Sequence, residues 1–164
     1  GSQGAVSINA ALADAVERLT GAGFQILHAY GRKNDAPAAH DHYTAVPYID
    51  DMEAAYAVAD VVVCRSGAMT VAENSAAGIP AIYIPLPHGN GEQGLNSAHL
   101  VDAGAALRID DAALSGDVLV EKLLPLKDPD ARATMRAALK DSGAGSVAED
   151  LAARIAAAAG KDTK

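Results

Sequence analysis

The chain has 164 residues and a formal net charge of -8, a length that suits one domain and a charge that argues against a nucleic-acid or anionic-membrane surface. Half of it is hydrophobic but only 4% is aromatic, so the core is expected to consist of closely packed elements with small side chains. One cysteine excludes an internal disulfide framework and fits a reducing compartment, and no apolar run approaches the ~20 residues that a membrane-spanning helix needs.

Gly1-Ser2-Gln3-Gly4 leads directly into a helical pattern in which Ile8, Leu12, Ala15, Val16 and Leu19 share one face. A glycine-rich opening before a helix normally follows a strand, and none precedes it here. Gly1-Ser2 is therefore either a cloning scar or part of a loop cut inside a longer protein. Gly21 and Gly23 close the helix, Phe24 to Tyr30 reads as a strand, Gly31 to Asp41 as a polar loop, and Tyr43 to Val46 as a second strand. Asp50 or Asp51 is placed to cap a helix running to about Val58. Val61, Val62, Val63 and Cys64 form a wholly apolar run that suits a strand covered on both faces.

Arg65, Ser66 and Gly67 then turn the chain. Thr70 and Glu73 have the spacing of a capping box, which places the start of the next helix near Thr70. Gly78 with Pro80 ends that helix. Ala81 to Ile84 is the next strand, stopped by Pro85 and Pro87, and His88 to Glu92 is a glycine-rich polar loop. Gln93 to Ala103 reads as a helix with Leu95, Ala98 and Val101 or Asp102 at its spacing, and Ala105 to Ile109 as the last strand. The remainder is helical, about Asp117 to Leu124, Pro129 to Lys140 and Ser146 to Ala159, with Pro129 at a first helical position.

Strands that alternate with helices imply a parallel sheet with helices on both faces, and ligands in such sheets sit beyond the carboxyl ends of the strands. That singles out Gly1–Gly4, Arg65–Met69 and Pro85–Gln93, with Pro47–Asp51 as a fourth wall. A glycine-bearing turn from a buried strand into an open helix N-terminus is suited to an anion, because free N–H groups and the helix dipole both favour negative charge. With a negative overall field, a phosphate would be held by such groups and a few cations. Arg65 suits either phosphate neutralisation or a strand-end ion pair, with the structural role favoured. Cys64 reads as a small core residue. Asp128-Pro129-Asp130 matches a metal-carrying Asp-x-Asp pattern, yet Asp128 is better explained as an N-cap. His40-x-His42 lacks an evident third ligand, so no required metal is expected.

The segments Gly1-Ser2-Gln3-Gly4-Ala5, Tyr48-Ile49-Asp50-Asp51-Met52, Ala59 to Glu73, and Pro87 to Gln93 with Asn96 resemble, in the same order, the carboxyl-terminal half of the MurG family. These enzymes transfer N-acetylglucosamine from UDP-N-acetylglucosamine (UDP-GlcNAc) to lipid I, forming lipid II in bacterial peptidoglycan synthesis. The motifs are dense from Gly1 to about Ile109 and loose beyond. The resemblance implies an α/β fold, a Rossmann-like parallel sheet with helices on both faces, as in the carboxyl-terminal domain of a GT-B glycosyltransferase. Residues 1–164 would be the UDP-GlcNAc-binding domain, with the leading strand and the amino-terminal acceptor domain missing, and Gly1-Ser2 would be native phosphate loop.

Carried onto this chain, the resemblance implies that Ser2 contacts the diphosphate and that the backbone of Ile49 pairs with uracil. Ala68, Met69, Thr70, Val71 and Ala72 would line the helix start that receives phosphate and ribose. Glu73 would accept hydrogen bonds from the ribose hydroxyls, a role that competes with its capping-box explanation, and Gln93 would bind the sugar hydroxyls. Glu92 stands where the family often has a second glutamine. The implied chemistry is an inverting glycosyl transfer without cofactor, with no catalytic residue on this chain. Lipid I would be met through the amino-terminal domain, which would also carry the membrane contact. The implied location is cytoplasmic, with the full-length protein peripheral on the inner face of the plasma membrane. The rival readings are another UDP-sugar-using GT-B enzyme, a donor-binding subunit of a split transferase, and a non-catalytic nucleotide-binding module.

Overall fold

A computed structural model describes residues 5–87 and 91–144. The Gly1–Gly4 loop with Ser2, residues His88 to Asn90, and the helix expected at Ser146 to Ala159 lie outside the described residues.

The chain runs α1 (Val6–Gly21), β1 (Ile26–Ala29), β2 (Tyr43–Val46), α2 (Met52–Val58), β3 (Val62–Cys64), α3 (Ala68–Ala76), β4 (Ala81–Tyr83), α4 (Glu92–Asp102), β5 (Ala106–Arg108), α5 (Gly116–Leu123) and α6 (Pro129–Asp141). Single 3-10 turns at Asp111–Ala113 and Leu124–Lys127 flank α5. Local chemistry accounts for several boundaries. Asp51 caps α2 by accepting from the Ala54 N–H at 2.9 Å, Ser115 caps α5, and Asp128 caps α6 by accepting from the Asp130 N–H. The Asp128-Pro129-Asp130 triplet is thus a helix start.

Every strand pairing is parallel, but the ladder is divided. β1 pairs with β2 from Ile26 opposite Tyr43 to Ala29 opposite Val46. β3 pairs with β4, and β4 with β5. The expected single sheet is therefore two parallel ladders among the described residues, and β1 and β3 each keep an edge without a strand partner there. β4, flanked on both sides, is wholly buried. β3 is only half-buried along its length, which corrects the expectation of a strand covered on both faces. It ends its ladder at the divide, where fewer neighbours cover it.

Alternation along β4 feeds two cores. Ile82 and Ile84 join Ile8, Leu12, Ala15 and Leu19 of α1 and Leu119 and Leu123 of α5, and Ile26, Tyr43 and Val63 from both ladders pack against this cluster. Ala81 and Tyr83 point the other way, onto Val71 of α3, Leu100 of α4 and Leu139 of α6. Helices thus cover both faces. The α1 stripe is the one expected from periodicity, and the α4 stripe is not: Leu95 is 73% exposed, while Ser97 and Leu100 face inward. Leucine-to-small spacing alone did not set the phase of a helix that buries a serine. Gly116 admits α5 against α1, since a Cβ there would run into the Asp14 carboxylate.

α1 is anchored to β1 by a buried polar chain. The Asn9 side-chain amide donates to the Tyr30 carbonyl at 2.9 Å, which turns its oxygen toward His28 Nε2, also at 2.9 Å. Nε2 therefore carries the proton, and Nδ1 accepts from the Tyr43 hydroxyl at 2.6 Å. Burial lowers the His28 pKa from 6.5. A group whose folded pKa is depressed binds its proton more readily when unfolded, so its contribution is complete above about pH 6.5 and is lost as pH falls below that value. Thermal melts between pH 7.5 and 5.5, values chosen about one unit either side of that pKa, should show a falling midpoint, and His28→Gln should flatten that slope.

Candidate functional site

The carboxyl ends of the strands open into helices on one side of the molecule, and the β3–α3 turn is their meeting point. The Arg65 guanidinium follows β3. One of its nitrogens donates to the Ile84 carbonyl at 3.1 Å, to the Pro85 carbonyl at 3.3 Å and to the Asp111 carboxylate. The other donates to Ser7 Oγ at 2.8 Å, and Ser7 in turn donates to Asp111 at 2.6 Å. Arg65 and Asp111 are 22% and 18% exposed. These contacts decide between the two readings of Arg65: its fork is engaged in a strand-end ion pair that ties the start of α1 to the ends of β3 and β4.

Ser66 is fully buried. Its hydroxyl donates to the Gln93 carbonyl at 2.7 Å, and the Asn96 side-chain amide donates to the Ser66 carbonyl at 3.0 Å. The two bonds clamp the β3–α3 turn to the first turn of α4. Gln93 Oε1 accepts from the Leu86 N–H at 3.0 Å, so this side chain closes the loop after β4. The sequence marks Ser66 as a turn former and Asn96 only as part of a motif. Their mutual grip across 30 positions leaves no local pattern.

Gly67 is the N-cap of α3, with φ -61 and ψ 146 and no side-chain cap. The first intrahelical bond runs from the Val71 N–H to the Gly67 carbonyl at 3.0 Å. The amides of Ala68, Met69 and Thr70 precede it and have no cap from a side chain. This corrects the helix start. Thr70 lies in the helix as its third residue, and no capping box forms, because extended Gly67 already sends the chain into the helix two residues earlier. Ala68 and Met69 are exposed and Thr70 and Ala72 half-buried. Val71 packs its side chain into the core.

With no cap to make, the Glu73 carboxylate accepts from the Tyr56 hydroxyl of α2 at 3.3 Å. Burial and the facing carboxylate push the Tyr56 phenol up to about 12, so it stays a donor. Between α2 and α3 lies a groove of about 560 Å³ lined by Met52, Glu53, Tyr56, Ala57, Glu73 and Ala76. Ile49, half-buried, sits just ahead of α2. Arg32 braces its neighbours: the guanidinium lies 4.7 Å from the Tyr48 ring centroid and 3.6 Å from Asp50. The Arg32 contacts were invisible to local spacing.

The structure thus brings Ala68, Met69, Thr70 and Gln93 together through Ser66, and joins Glu73 to the helix that follows Ile49. Ser2 lies outside the described residues. Val6, Tyr48, Met52, Met69, Leu86 and Leu95 are exposed apolar side chains in the segments that follow strands or open α1. Cys64 is a core thiol, pushed up to about 11 by burial and approached by the Asn74 amide at 3.4 Å. Among the described residues, no three metal-ligating side chains come together.

Parallel ladders with helices on both faces and helix starts gathered at the strand ends define the carboxyl-terminal domain of a GT-B glycosyltransferase. The chain belongs to glycosyltransferase family 28: residues 1–155 match the family's C-terminal domain. It is 56% identical, over 158 residues, to a UDP-N-acetylglucosamine--N-acetylmuramyl-(pentapeptide) pyrophosphoryl-undecaprenol N-acetylglucosamine transferase of Corynebacterium glutamicum, a match covering 96% of this chain and 44% of that protein. A protein of the same name from Mycolicibacterium smegmatis is 54% identical over 149 residues, 87% of this chain and 39% of the relative. The chain therefore spans less than half the length of these curated relatives. The crystal structure of Acinetobacter baumannii MurG superposes with a TM-score of 0.71 at 30% identity, covering 92% of this chain and 47% of that one. A kitacinnamycin glycosyltransferase at 24% identity shares the fold with a TM-score of 0.66. The resemblance to MurG read from the motifs is borne out.

Truncating Arg65 would leave the half-desolvated Asp111 carboxylate without the Arg65 charge, remove one of Ser7's two bonds, and leave two strand-end carbonyls without that donor. Arg65→Ala should cost about 2–3 kcal/mol, less than the ~3–5 kcal/mol of a fully buried pair because solvent reaches this one. A urea denaturation midpoint measures the loss.

Proposed function

We propose that this chain is the donor-binding half of an inverting transferase that moves N-acetylglucosamine from UDP-GlcNAc to lipid I. The observation that carries the proposal is the start of α3. Three uncapped amides open the helix that also carries a carboxylate free of capping, in a chain 56% identical over 158 residues to a transferase of that name. The Ala68, Met69 and Thr70 amides receive the diphosphate, with Ser2 on its other side. Val71 and Ala72 shape the same helix turn without offering an amide of their own.

Glu73 accepts from the ribose hydroxyls, for which a carboxylate with several lone pairs is well matched. The Ile49 backbone meets uracil, and Gln93 meets the sugar, its amide both donating and accepting. As the acceptor hydroxyl attacks the anomeric carbon, charge grows on the departing diphosphate. Preorganised amides at the helix start stabilise that charge. The general base, the lipid I site and the membrane contact belong to the other half of the enzyme, which works at the cytoplasmic face of the plasma membrane. The exposed apolar side chains in the segments after the strands support a surface turned toward that half.

The division of the ladder supports a further strand of the same protein, placed before Gly1 and lying between β1 and β3. α1 reaches both sides of the divide, through Asn9 to β1 and through Ser7 to the end of β3. The Ile26 amide donates to the His42 carbonyl just ahead of β2, the Tyr30 amide to Val46 of β2, and the Val62 amide to the Pro80 carbonyl just ahead of β4. By alternation the Leu27, Ala29 and Val63 amides face the divide. Those three should exchange rapidly with deuterium in the 164-residue chain and become protected in a chain extended upstream. Unchanged exchange would refute the added strand.

Calorimetry with UDP-GlcNAc, UDP and GDP tests the site. UDP should bind and GDP should not, and equal binding of GDP would overturn the uracil contact at Ile49. Glu73→Ala should weaken UDP by about tenfold to a hundredfold, the value of a charge-assisted pair, and leave uracil affinity unchanged.

A further inference from the structure

The Glu73 carboxylate projects from an exposed position on α3. A long flexible side chain there samples many rotamers unless something holds it. Its described partner is the Tyr56 hydroxyl across the α2–α3 groove. Tyr56 is itself fixed: it is half-buried, and its ring forms part of the groove with Met52, Ala57 and Ala76. A phenol held neutral can only help a carboxylate by donating to it, and the facing charge strengthens that bond.

We propose that Tyr56 is a positioning residue of the nucleotide site. Its hydroxyl holds Glu73 Oε2 and so presents Oε1 to the ribose diol, which makes Tyr56 a determinant of ribose over deoxyribose. The inference rests on Glu73 being the ribose acceptor. Tyr56 also joins α2 to α3, and Ile49 stands at the head of α2. The same bond therefore sets the distance between the base contact and the ribose contact. This ordering is done before ligand arrives, so the entropy of fixing Glu73 is not charged to binding.

The test is calorimetry of the chain with UDP and with 2′-deoxy-UDP, for wild type, Tyr56→Phe, Glu73→Ala and the double variant, with a thermal melt of each. Tyr56→Phe keeps the ring in the groove, so its melt should match wild type. Its UDP affinity should fall about threefold to tenfold, the range of one hydrogen bond to a charged group, and its preference for UDP over 2′-deoxy-UDP should shrink toward one. In the double variant, removal of the Tyr56 hydroxyl should have no further effect, because the two residues act as a unit. Additive losses overturn the proposal. Loss of the ribose preference in Glu73→Ala but not in Tyr56→Phe overturns the role of Tyr56 alone. Retention of that preference in Glu73→Ala removes the ribose role of Glu73, and the role of Tyr56 with it.

Discussion

One guanidinium ties together the carboxyl ends of the strands in this domain. Arg65 leaves β3 and meets the carbonyls that close β4, the carboxylate that follows β5 and the hydroxyl that opens α1. The carbonyls, the carboxylate and the hydroxyl come from three places far apart in the chain. Parallel strands place their carboxyl ends side by side, and every such end leaves carbonyls without a ladder partner. A planar fork with five donors can satisfy several of them at once, which a lysine ammonium cannot do with the same geometry. The pairing with Asp111 keeps the charge compensated where water reaches it only in part. The cation is thereby spent on architecture, and any anion bound beside it must be met by backbone amides.

Those amides are available because of a disagreement between local and tertiary preferences. Thr70 and Glu73 have the spacing that caps a helix, yet the helix starts before them at a residue with no side chain. Extended Gly67 is held by what surrounds it: Ser66 is buried and gripped by Gln93 and Asn96 of α4. The turn therefore answers to its neighbours across the site and not to the helix it begins. Two consequences follow from that one fact. The first turn of α3 stays open, and Glu73 reaches sideways to Tyr56. A helix optimised for its own stability would have had neither property, a pattern expected where function competes with local consistency.

The divided ladder has a similar logic. A parallel pair is stable only when both faces are covered, and here α1 covers both ladders from one side while carrying polar anchors to each. The Asn9–His28–Tyr43 chain fixes α1 against β1 with every hydrogen assigned, and the Ser7 contact fixes it against β3. α1 thus sets the spacing of the two ladders, and its N-terminus stands at the divide beside the turn that follows β3.

Much of this was legible in the residues. The apolar stripe of α1, the limits of β2, the Asp51 and Asp128 caps and the parallel α/β class all follow from short-range pattern, because they depend on a period or on a bond spanning two or three positions. The order of the MurG-like motifs identified the family. What the residues did not disclose depends on distance along the chain. The ion pair of Arg65 spans 46 positions and the bond between Tyr56 and Glu73 spans 17. The phase of α4 turned on a buried serine, and the break in the ladder on which strand edges find partners. Periodicity reports how a segment meets an average interior. Only the assembled tertiary structure decides which particular group it meets, and here that choice left the first amides of α3 without a side-chain cap and turned the Glu73 carboxylate to Tyr56.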